Sequence, residues 1–512
     1  MESPNLPPLQ GRQLASLSIS ILLVALCGIV YQLIIGAISS YLLGNSVVQF
    51  SVTIGLFMFA MGIGSYFSKL FPDHLIDVFI TVEVIISIIG GLSSLILFIA
   101  FPTFPSLYRG IMYLLIILIG SLVGLEIPIL TRILSDRQKD LKDSLAHVLS
   151  LDYLGALIGS IVFPLVLLPQ LGLMSSSFAI GLINVLTAYI NIAIFWKVLR
   201  RPKRLLALTL TGTAIMIAGV LGGQILTRFA EKQLYSDQVI YFKQSPYQRV
   251  VFTRSPVSSE YRLYLDGHLQ FAQKDEHRYH ESLALPVMAK PGPRKNVLIL
   301  GGGDGMAARE VFKFADVERI DLVDIDQTVT DFCRQNPTVK KINAGSLDDL
   351  RLHVHHLDAF IYVRETTTLY DRVIIDLPDP HNEMLDKLYT VDFYKMIKAK
   401  LAPGGALVTQ SSSPFTTRQT FWCIATTLEA AGFETYNYHL GMLSFGVWGF
   451  HMACREPFDV DDFKFKVPTQ YMTQDVLRAS SVFGKDASRI EAPINRLLEP
   501  KLYAIYNREA TQ

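Results

Sequence analysis

The sequence predicts a multi-pass α-helical membrane domain followed by a small β module and a doubly wound parallel α/β sheet. Apolar runs long enough to cross a bilayer fill residues 1–228. Alternating apolar and polar residues then predict strands between 239 and 272. From residue 296 onward strands alternate with helices, which is typical of a parallel sheet covered on both faces. We therefore expect three domains, over 1–228, 229–290 and 291–512.

Composition and charge argue against several classes of function. Half of the 512 residues are apolar, and a net charge of only +1 gives no indication of nucleic-acid binding. The four cysteines are scattered and include no CxxC pair, so neither a disulfide framework nor a zinc site is expected. We interpret all four as packing residues: Cys27, Cys333, Cys423 and Cys454.

The first 228 residues contain seven apolar runs of the length that a membrane helix needs, which is about 20 residues. The first run lacks the small-residue cleavage site of a signal peptide, so we predict a membrane span there. We expect a multi-pass protein of the cell (inner) membrane, in contact with the lipid bilayer. The predicted spans cover about 15–37, 46–69, 76–100, 110–133, 145–168, 174–196 and 205–227.

A few polar side chains fall inside these apolar runs. Ionisable groups at membrane depth often mark a transport pathway or a buried partner. The alternative, which we favour on the sequence, is structural: some lie near the interfaces or cap helices. Glu126, directly before Ile127-Pro128, could satisfy backbone groups that the proline frees. The residues concerned are Gln32, Glu83, Glu126 and Asp152.

The rest of the chain begins with a β-like segment and continues as an α/β pattern. Turns at Ser245-Pro246 and Asp266-Gly267 predict hairpin connections between the first strands. We then predict strands in NVLILGGG, in RIDLVDID, at about 351–354, in RVIID at 372–376 and in ALVTQSSS. LYTVDFYKMIKAKLAPGG is predicted to be a helix that ends at its glycines.

The most informative segment is VLILGGGDGMAAREV, residues 297–311, in which an apolar strand leads through a glycine-rich turn into a helix. VDID at 323–326 and DLPDP at 376–380 end two further strands in carboxylates. In sheets of this kind the glycines let the backbone approach a ligand, and an acid at the end of the second strand reaches ribose hydroxyls. Asp304 within the turn would repel a pyrophosphate, so we predict a nucleoside that carries a cationic group.

Seven ordered motifs make residues 245–455 resemble the spermidine synthases, which are polyamine aminopropyltransferases. The helical half resembles, more loosely, membrane regions that are fused to such domains. The resemblance implies a Rossmann-like catalytic domain. The motifs are SPYQ (245–248), YLDGHLQ (264–270), DEHRYHE (275–281), GGGDG (301–305), VDID (323–326), the YDxxxxDxxDP block (370–380) and LAPGGALVTQ (401–410).

This resemblance implies transfer of an aminopropyl group from decarboxylated S-adenosylmethionine to putrescine, which gives spermidine and methylthioadenosine. The donor's sulfonium already makes the adjacent propyl carbon electrophilic, so neither a metal nor a bound cofactor is expected. The attacking amine must be neutral, so a carboxylate within hydrogen-bond reach must take its proton. Because both substrates are cations, an acidic pocket serves binding and catalysis together. Soluble members commonly associate, so a homo-oligomer is a further expectation.

The motif match also implies roles for individual residues. Asp376, which ends the strand RVIID, is the predicted catalytic base. Asp379 and Tyr279 are predicted to contact the diamine. The nucleoside substrate is predicted to contact Asp304 through its terminal ammonium, Asp324 through its ribose, Asp358 and Ala359 near its adenine, and Gln248 and His280 along the substrate channel.

Structural alternatives exist for these residues. Asp304 and Asp324 could cap the helices that follow them. Two further pairs have similar alternatives: Asp376 and Asp379 could form a turn around a proline, and Tyr279 and His280 could be a packed aromatic ring and a satisfied histidine.

The chain departs from the family pattern around the acceptor. Small hydroxyl residues and Gly-Pro are usual where this chain has Leu377-Pro378 and His381-Asn382, and glycine is usual at Ala359. Leu443 occupies the position of a tyrosine that usually contacts the diamine, which weakens the case for putrescine. A transferase acting on a different amine therefore stays open. The alternative from another class is a membrane polyamine transporter or sensor with a non-catalytic synthase-like domain, whereas a methyltransferase has no need of paired acids.

Loop charge and chemistry disagree about orientation. The positive-inside rule places two basic loops in the cytoplasm, and with seven spans this puts the catalytic domain outside. The nucleoside substrate, however, is made in the cytoplasm, and on that ground we expect a cytoplasmic catalytic domain. The basic residues are Arg132, Arg137, Lys139 and Lys142 in one loop and Lys197, Arg200, Arg201, Lys203 and Arg204 in the other.

Overall fold

A computed structural model describes residues 11–43, 46–138 and 141–510 of the chain. The chain divides into two compact units, residues 1–239 and 240–512. The first unit is helical, and the second contains two β-sheets with helices. The last helix of the first unit, Pro202–Leu234, passes through the domain boundary that the sequence predicts at residue 228.

Seven long helices account for the described part of the first unit. Each predicted apolar run falls on a different one of them, so the prediction of a helical region is confirmed. Of the basic residues in the two charged loops, Lys139 lies outside the described residues. The helices are α1 Gly11–Leu43, α2 Ser46–Phe67, α3 Leu75–Thr103, α4 Tyr108–Gln138, α5 Leu141–Val162, α6 Leu168–Phe195 and α7 Pro202–Leu234.

Length and hydropathy single out six helical stretches among the described residues that could cross a membrane. The fifth, Lys142–Phe195, is 54 residues long and joins α5 to α6 through a π-helical turn at Phe163–Leu167. At about 1.5 Å per residue, such a stretch is far too long for one crossing. Its backbone leaves the helical conformation at Gly172, where φ is 71° and ψ is 178°. That these helices cross a bilayer stays a prediction.

Glycines let pairs of these helices approach closely. A Cβ atom on Gly64 of α2 would lie 1.8 Å from the carbonyl oxygen of Ser121 in α4. A Cβ atom on Gly155 of α5 would lie 2.2 Å from the carbonyl oxygen of Leu22 in α1. Helices in lipid gain little from the hydrophobic effect and associate through such close contacts. Both pairs therefore depend on glycine where the backbones meet.

Two of the acids predicted inside the apolar runs are enclosed by the helices. Glu83 of α3 and Glu126 of α4 are 0% and 1% exposed. Apart from each other, the two carboxyl groups have no hydrogen-bond donor among the described residues. The two carboxyl groups lie close enough to share a proton. The alternative in which Glu126 satisfies backbone groups near Pro128 therefore finds no supporting hydrogen bond.

The second unit begins with a four-stranded sheet in the order β1-β2-β3-β4, as the alternating pattern predicts. The β3–β4 hairpin turns at Asp266 and Gly267, whose φ angles are 49° and 82°. Positive φ at both central residues is the geometry that Asp-Gly favours in a tight hairpin. The strands are β1 Gln238–Gln244, β2 Arg249–Arg254, β3 Tyr261–Leu265 and β4 His268–Ala272.

A seven-stranded sheet follows, in the order β10-β11-β9-β8-β5-β6-β7. Strands β5 to β9 run parallel, and β10 and β11 are antiparallel additions at one edge. The chain proceeds from β5 outward to β7 and then returns to place β8 on the other side of β5. The carboxyl ends of β5 and β8 therefore form a topological switch point, where open α/β sheets bind ligands. The strands are β5 Asn296–Gly301, β6 Arg319–Val323, β7 Leu352–His355, β8 Tyr370–Asp376, β9 Leu401–Gln410, β10 Glu434–Met442 and β11 Gly446–Cys454.

Helices cover this sheet, and one differs from its predicted extent. Helix α14 ends at Lys400 rather than at the glycines, and β9 begins at Leu401, which is buried and pairs with Tyr370. Pro403 has no N–H for a continuing helix, so the earlier end is physically reasonable. The helices are α8 Glu276–Ala289, α9 Met306–Val311, α10 Gln327–Gln335, α11 Pro337–Ile342, α12 Ala359–Glu365, α13 Glu383–Asp386, α14 Val391–Lys400, α15 Arg418–Ala430, α16 Gln474–Ala479 and α17 Leu502–Ala510.

Candidate active site

The glycine-rich turn after β5 is shaped by close backbone contacts. Gly301 has a φ of 81°, and a Cβ atom there would lie 2.0 Å from the carbonyl oxygen of Asp376. A Cβ atom on Gly303 would lie 2.3 Å from Asp324 Oδ2. Only glycine fits at either position without displacing the neighbouring strand end. The turn thus brings the ends of β5, β6 and β8 together.

Asp324, at the end of β6, is held by backbone donors rather than acting as a helix cap. Gly303 N donates to its Oδ2 at 3.0 Å, and Asp326 N donates to its Oδ1 at 2.9 Å. The residue that caps α10 is Asp326, so the capping alternative for Asp324 is wrong. Burial raises the pKa of Asp324 to about 6 despite these two hydrogen bonds.

Gln248 lies at the same end of the sheet. Its side-chain amide donates to Asp326 Oδ2 at 3.0 Å, and Ser245 Oγ donates to the same oxygen at 2.7 Å. The SPYQ motif of the small β module is therefore tied to the carboxyl end of β6. This contact brings a predicted nucleoside-binding residue close to Asp324.

His280 of α8 is enclosed between two acids. Its Nδ1 lies 2.9 Å from Glu276 Oε2, and its Nε2 lies 3.8 Å from Asp304 Oδ2. Burial opposes the positive charge, but the hydrogen bond with Glu276 and the field of Asp304 raise the pKa of His280 to about 9. Glu276 is held in turn by Arg309, at 2.8 and 2.9 Å. His280 is therefore an imidazolium at neutral pH.

Asp304 has one oxygen committed to the protein. Its Oδ1 accepts a hydrogen bond from Met306 N at 2.8 Å, at the start of α9. The capping alternative is thus correct for this oxygen, although the N-cap position itself is Gly305. Oδ2 is the oxygen that faces His280.

Asp376 is the last residue of β8 and contacts Tyr279, another residue that the motif match predicts for the site. Tyr279 OH donates to Asp376 Oδ1 at 2.7 Å. Burial raises the pKa of Asp376 to about 6, and Asp304 adds to this rise, while His280 and the Tyr279 hydrogen bond oppose it. The carboxyl group therefore titrates just below neutral pH, in the range that suits a general base.

Asp379, three residues further on, accepts hydrogen bonds through one oxygen only. Ser412 Oγ and Tyr506 OH lie 3.3 and 3.2 Å from its Oδ2. Its Oδ1 is buried and has no hydrogen-bond partner among the described residues. Burial raises the pKa of Asp379 to about 6 although the neighbouring side chains of Tyr506, Gln410 and Ser412 lower it. A buried oxygen with no such partner can accept a hydrogen bond from a bound ligand.

Asp358 and Ala359 begin α12. Asp358 caps this helix by accepting from Phe360 N at 2.8 Å, and its Oδ2 pairs with Lys387 Nζ at 2.6 Å. Ala359 is buried. Both oxygens of Asp358 thus have partners in the protein.

The residues that depart from the family pattern have distinct environments. Leu443 is 86% exposed in the turn between β10 and β11, so it replaces the expected tyrosine with a side chain that faces solvent. His381 stacks on His268 of β4, with ring centroids 4.5 Å apart. Burial lowers the pKa of His381 to about 4, so this ring is neutral.

Three residues of the site were not found by sequence reasoning. Tyr506 lies far along the chain and outside every motif. Arg309 lies within the segment 297–311, but it acts through Glu276 and was assigned no role. Ser412 has a φ of 62°, a strained value for a residue with a side chain, and bonds Asp379. The predicted strand ALVTQSSS includes Ser412, whereas β9 ends at Gln410, so the sequence did not place Ser412 in the turn beside Asp379.

The fold and site define an α/β protein whose switch point carries four carboxyl groups and one imidazolium. Such a site suits a ligand with more than one positive charge. A family model described as the spermine/spermidine synthase domain matches residues 276–461. The chain belongs to this family.

The relatives extend the match to nearly the whole chain. A polyamine aminopropyltransferase of Leptospira interrogans is 41% identical over 96% of this chain and 98% of its own length. One of Oceanobacillus iheyensis is 39% identical over 95% of this chain and 96% of its own length. A crystal structure of spermidine synthase with the transition state analogue AdoDATO is 30% identical, covers 48% of this chain and 85% of that one, and has a TM-score of 0.44. The two relatives that match over nearly their full length show that the chain is an enzyme that transfers aminopropyl groups.

Proposed function

We propose that the donor is decarboxylated S-adenosylmethionine and the acceptor putrescine, so that the products are spermidine and methylthioadenosine. The observation that carries this proposal is Asp379 Oδ1, which is buried with no hydrogen-bond donor among the described residues and belongs to a carboxyl group three residues from Asp376. A diammonium acceptor supplies the missing N–H donors. Asp376 can then face the nitrogen at the other end of the same molecule.

In the proposed reaction the nitrogen lone pair of the acceptor attacks the propyl carbon beside the sulfonium. The carbon–sulfur bond breaks, and sulfur keeps the electron pair as a neutral thioether. The proton lost by the nitrogen passes to Asp376, the catalytic base, which Tyr279 orients through Oδ1. Holding both cations in line contributes the rest of the rate enhancement.

The donor would be bound along the ends of β5, β6 and β7. We propose Asp304 for its terminal ammonium, because the contact of its Oδ2 within the described part of the chain is the long one to His280. Asp324 is proposed for the ribose, since its two backbone donors fix the orientation of the carboxylate. The remaining proposed contacts to the nucleoside are Gln248, His280, Asp358 and Ala359.

The acceptor is tested with full-length protein in detergent, the donor and a panel of diamines that differ by one methylene. We expect spermidine from putrescine, identified by mass spectrometry, with kcat/KM at least tenfold above that for its neighbours in the panel. Product from another amine alone would contradict the choice of putrescine and favour a specificity change at the position of the exposed Leu443.

We further propose that the helices span the cell membrane and that the catalytic unit is cytoplasmic, where the donor is made. Single cysteines can test this, because all four native cysteines are buried. Leu350→Cys, at a position 96% exposed, reports on the catalytic unit, and Val198→Cys, at a position 48% exposed, reports on a basic loop. Of the seven long helices, only α7 lies between the two positions, so a crossing by α7 puts them on opposite sides of the bilayer. In right-side-out vesicles we therefore expect an impermeant maleimide to label Val198→Cys but not Leu350→Cys before permeabilisation. Labelling of Leu350→Cys alone would instead support seven crossings with the catalytic unit outside.

A second candidate function, movement of polyamines by the helical unit, is favoured by Glu83 and Glu126. Enclosed carboxyl groups with no protein donor are costly and often belong to a transport path. In vesicles containing full-length protein, Glu83→Gln with Glu126→Gln should then reduce spermidine flux at unchanged catalytic turnover. Ser150→Ala, on the exposed part of α5, is the control. Equal flux in all three proteins would contradict this candidate.

A further inference from the structure

The C-terminal helix α17 lies outside the residues that the family model matches, and it contacts Asp379, the carboxylate proposed to bind the acceptor. That match ends at residue 461, whereas Tyr506 OH lies 3.2 Å from Asp379 Oδ2. Burial and the neighbouring Asp379 both raise the pKa of Tyr506, so the phenol stays protonated and donates this hydrogen bond. The site therefore includes a hydroxyl from the last ten residues of the chain.

The beginning of α17 is tied to the element that follows the aspartate loop. Asp386 of α13 accepts a hydrogen bond from Tyr503 N through Oδ2, at 3.1 Å, and from Asn495 Nδ2 through Oδ1. Asn495 in turn accepts from Lys501 N at 2.8 Å. Because α13 begins four residues after Asp379, this network fixes the helix relative to the carboxylate.

The end of α17 is tied to a second helix. Glu509 accepts from Gln419 N at 2.7 Å and from Thr420 N at 2.9 Å, in the first turn of α15. Leu502, the first residue of α17, and Ile505 are buried in the core that lies under β8 and β9. A helix held at both ends and on its inner face leaves the Tyr506 side chain little freedom.

We propose that Tyr506 is a positioning residue for the amine acceptor. The hydroxyl groups of Tyr506 and Ser412 both donate hydrogen bonds to Asp379 Oδ2. The other oxygen, Oδ1, can then accept a hydrogen bond from the non-reacting ammonium of the acceptor. This inference rests on the proposed function. It adds that the C-terminal helix, and not only the motif-bearing part of the chain, sets how tightly the acceptor binds.

Tyr506→Phe in the full-length enzyme tests the proposal, with Tyr503→Phe as the matched control. Tyr503 lies on the same helix, and its hydroxyl is buried with no hydrogen-bond partner among the described residues, so its removal costs no contact. For Tyr506→Phe we expect the KM for the diamine to rise about tenfold, as for loss of a hydrogen bond to a charged group. The KM for the donor and the kcat at saturating diamine should stay within about twofold.

The pH dependence separates positioning from packing. The Tyr506 hydrogen bond lowers the pKa of Asp379, so its loss raises that pKa and moves the acid limb of kcat/KM for the diamine to higher pH. Tyr503→Phe should leave the limb where it is. The inference would be overturned if Tyr506→Phe left both the KM for the diamine and the acid limb unchanged. It would also be overturned if both variants raised the KM values for donor and acceptor equally. If the wild-type enzyme made no product from any diamine, the proposed function would fall as well, which distinguishes the two failures.

Discussion

Carboxyl groups are enclosed in both units of this chain, but with different partners. Among the described residues, Glu83 and Glu126 in the helical unit have only each other as hydrogen-bond partners. In the second unit Asp324 receives two backbone hydrogen bonds, Asp376 one from a tyrosine, and Asp379 two from hydroxyls. The carboxyl groups proposed for the active site are thus oriented by hydrogen bonds from the protein.

The difference follows from the backbone around each group. Inside a helix every N–H already bonds to a carbonyl oxygen, so a helix in lipid offers its acids no spare donors. The turns after parallel strands have free N–H groups, and those of Gly303 and Asp326 are used to orient Asp324. Strand ends can therefore hold a carboxylate ready for a cation, whereas the helical pair must share a proton or bind a cation itself.

The largest effect is expected from Asp376→Asn. An amide cannot take the proton from the attacking amine, so kcat should fall by about 10²- to 10⁴-fold. Donor binding, measured by calorimetry, should change little. Asp475→Asn, in a carboxylate 93% exposed, is the control. Full activity of Asp376→Asn would show that Asp376 is not the catalytic base.

Gly303→Ala tests whether the strand-end geometry matters. A Cβ atom 2.3 Å from Asp324 Oδ2 must displace that carboxylate. We expect the KM for the donor to rise at least tenfold while the KM for the diamine stays nearly constant, because a displaced group in a site loses most of its binding contribution. Gly441→Ala, where a Cβ would meet nothing within 4 Å, should behave as wild type. Parallel rises in both KM values would argue for general disruption.

The pH profile should reveal the raised pKa values of the site. Asp376 has a pKa of about 6, and it must be ionised to act, so kcat/KM should fall as pH drops through about 6. His280 lowers the pKa of Asp376, so His280→Gln should move this limb to higher pH, and His277→Gln should not. An unmoved limb in His280→Gln would mean that the imidazolium does not act on Asp376.

Protein stability should change in the opposite sense to activity. Asp324, Asp376 and Asp379 titrate near 6 when folded and near 4 when unfolded. The folded protein binds more protons in this interval, so the stability from these groups is full below about 4 and is lost as pH rises through about 6. Cationic ligands should offset the loss, so thermal stabilisation by putrescine should be larger at pH 7 than at pH 5.

The smallest effect on catalysis is expected from Glu126→Gln. The amide keeps the shape of the side chain and can donate to Glu83, so the pair no longer needs a shared proton. Turnover in detergent should stay within about twofold of wild type. A much larger loss, with the protein still folded by circular dichroism, would mean that the acids of the two units are energetically coupled.

Local patterns predicted the parts of the fold that local chemistry determines. Apolar runs predicted the helices, Asp266-Gly267 predicted a hairpin, and GGGDG with its neighbouring acids predicted which strand ends meet. Tyr506 could not be predicted because its contact spans 127 residues and depends on how α17 packs. The end of α14 was misplaced because pairing of Leu401 with β8 is a tertiary contact that overrides the glycine signal.

The central claim is that this carboxylate-lined site transfers an aminopropyl group to a diamine. Its most direct test is a time course of full-length protein with decarboxylated S-adenosylmethionine and putrescine, in which methylthioadenosine and spermidine are quantified in the same sample. We predict that the two products appear in equal amounts and that neither forms when the diamine is omitted. Bound donor with no product, or methylthioadenosine released without spermidine, would contradict the account.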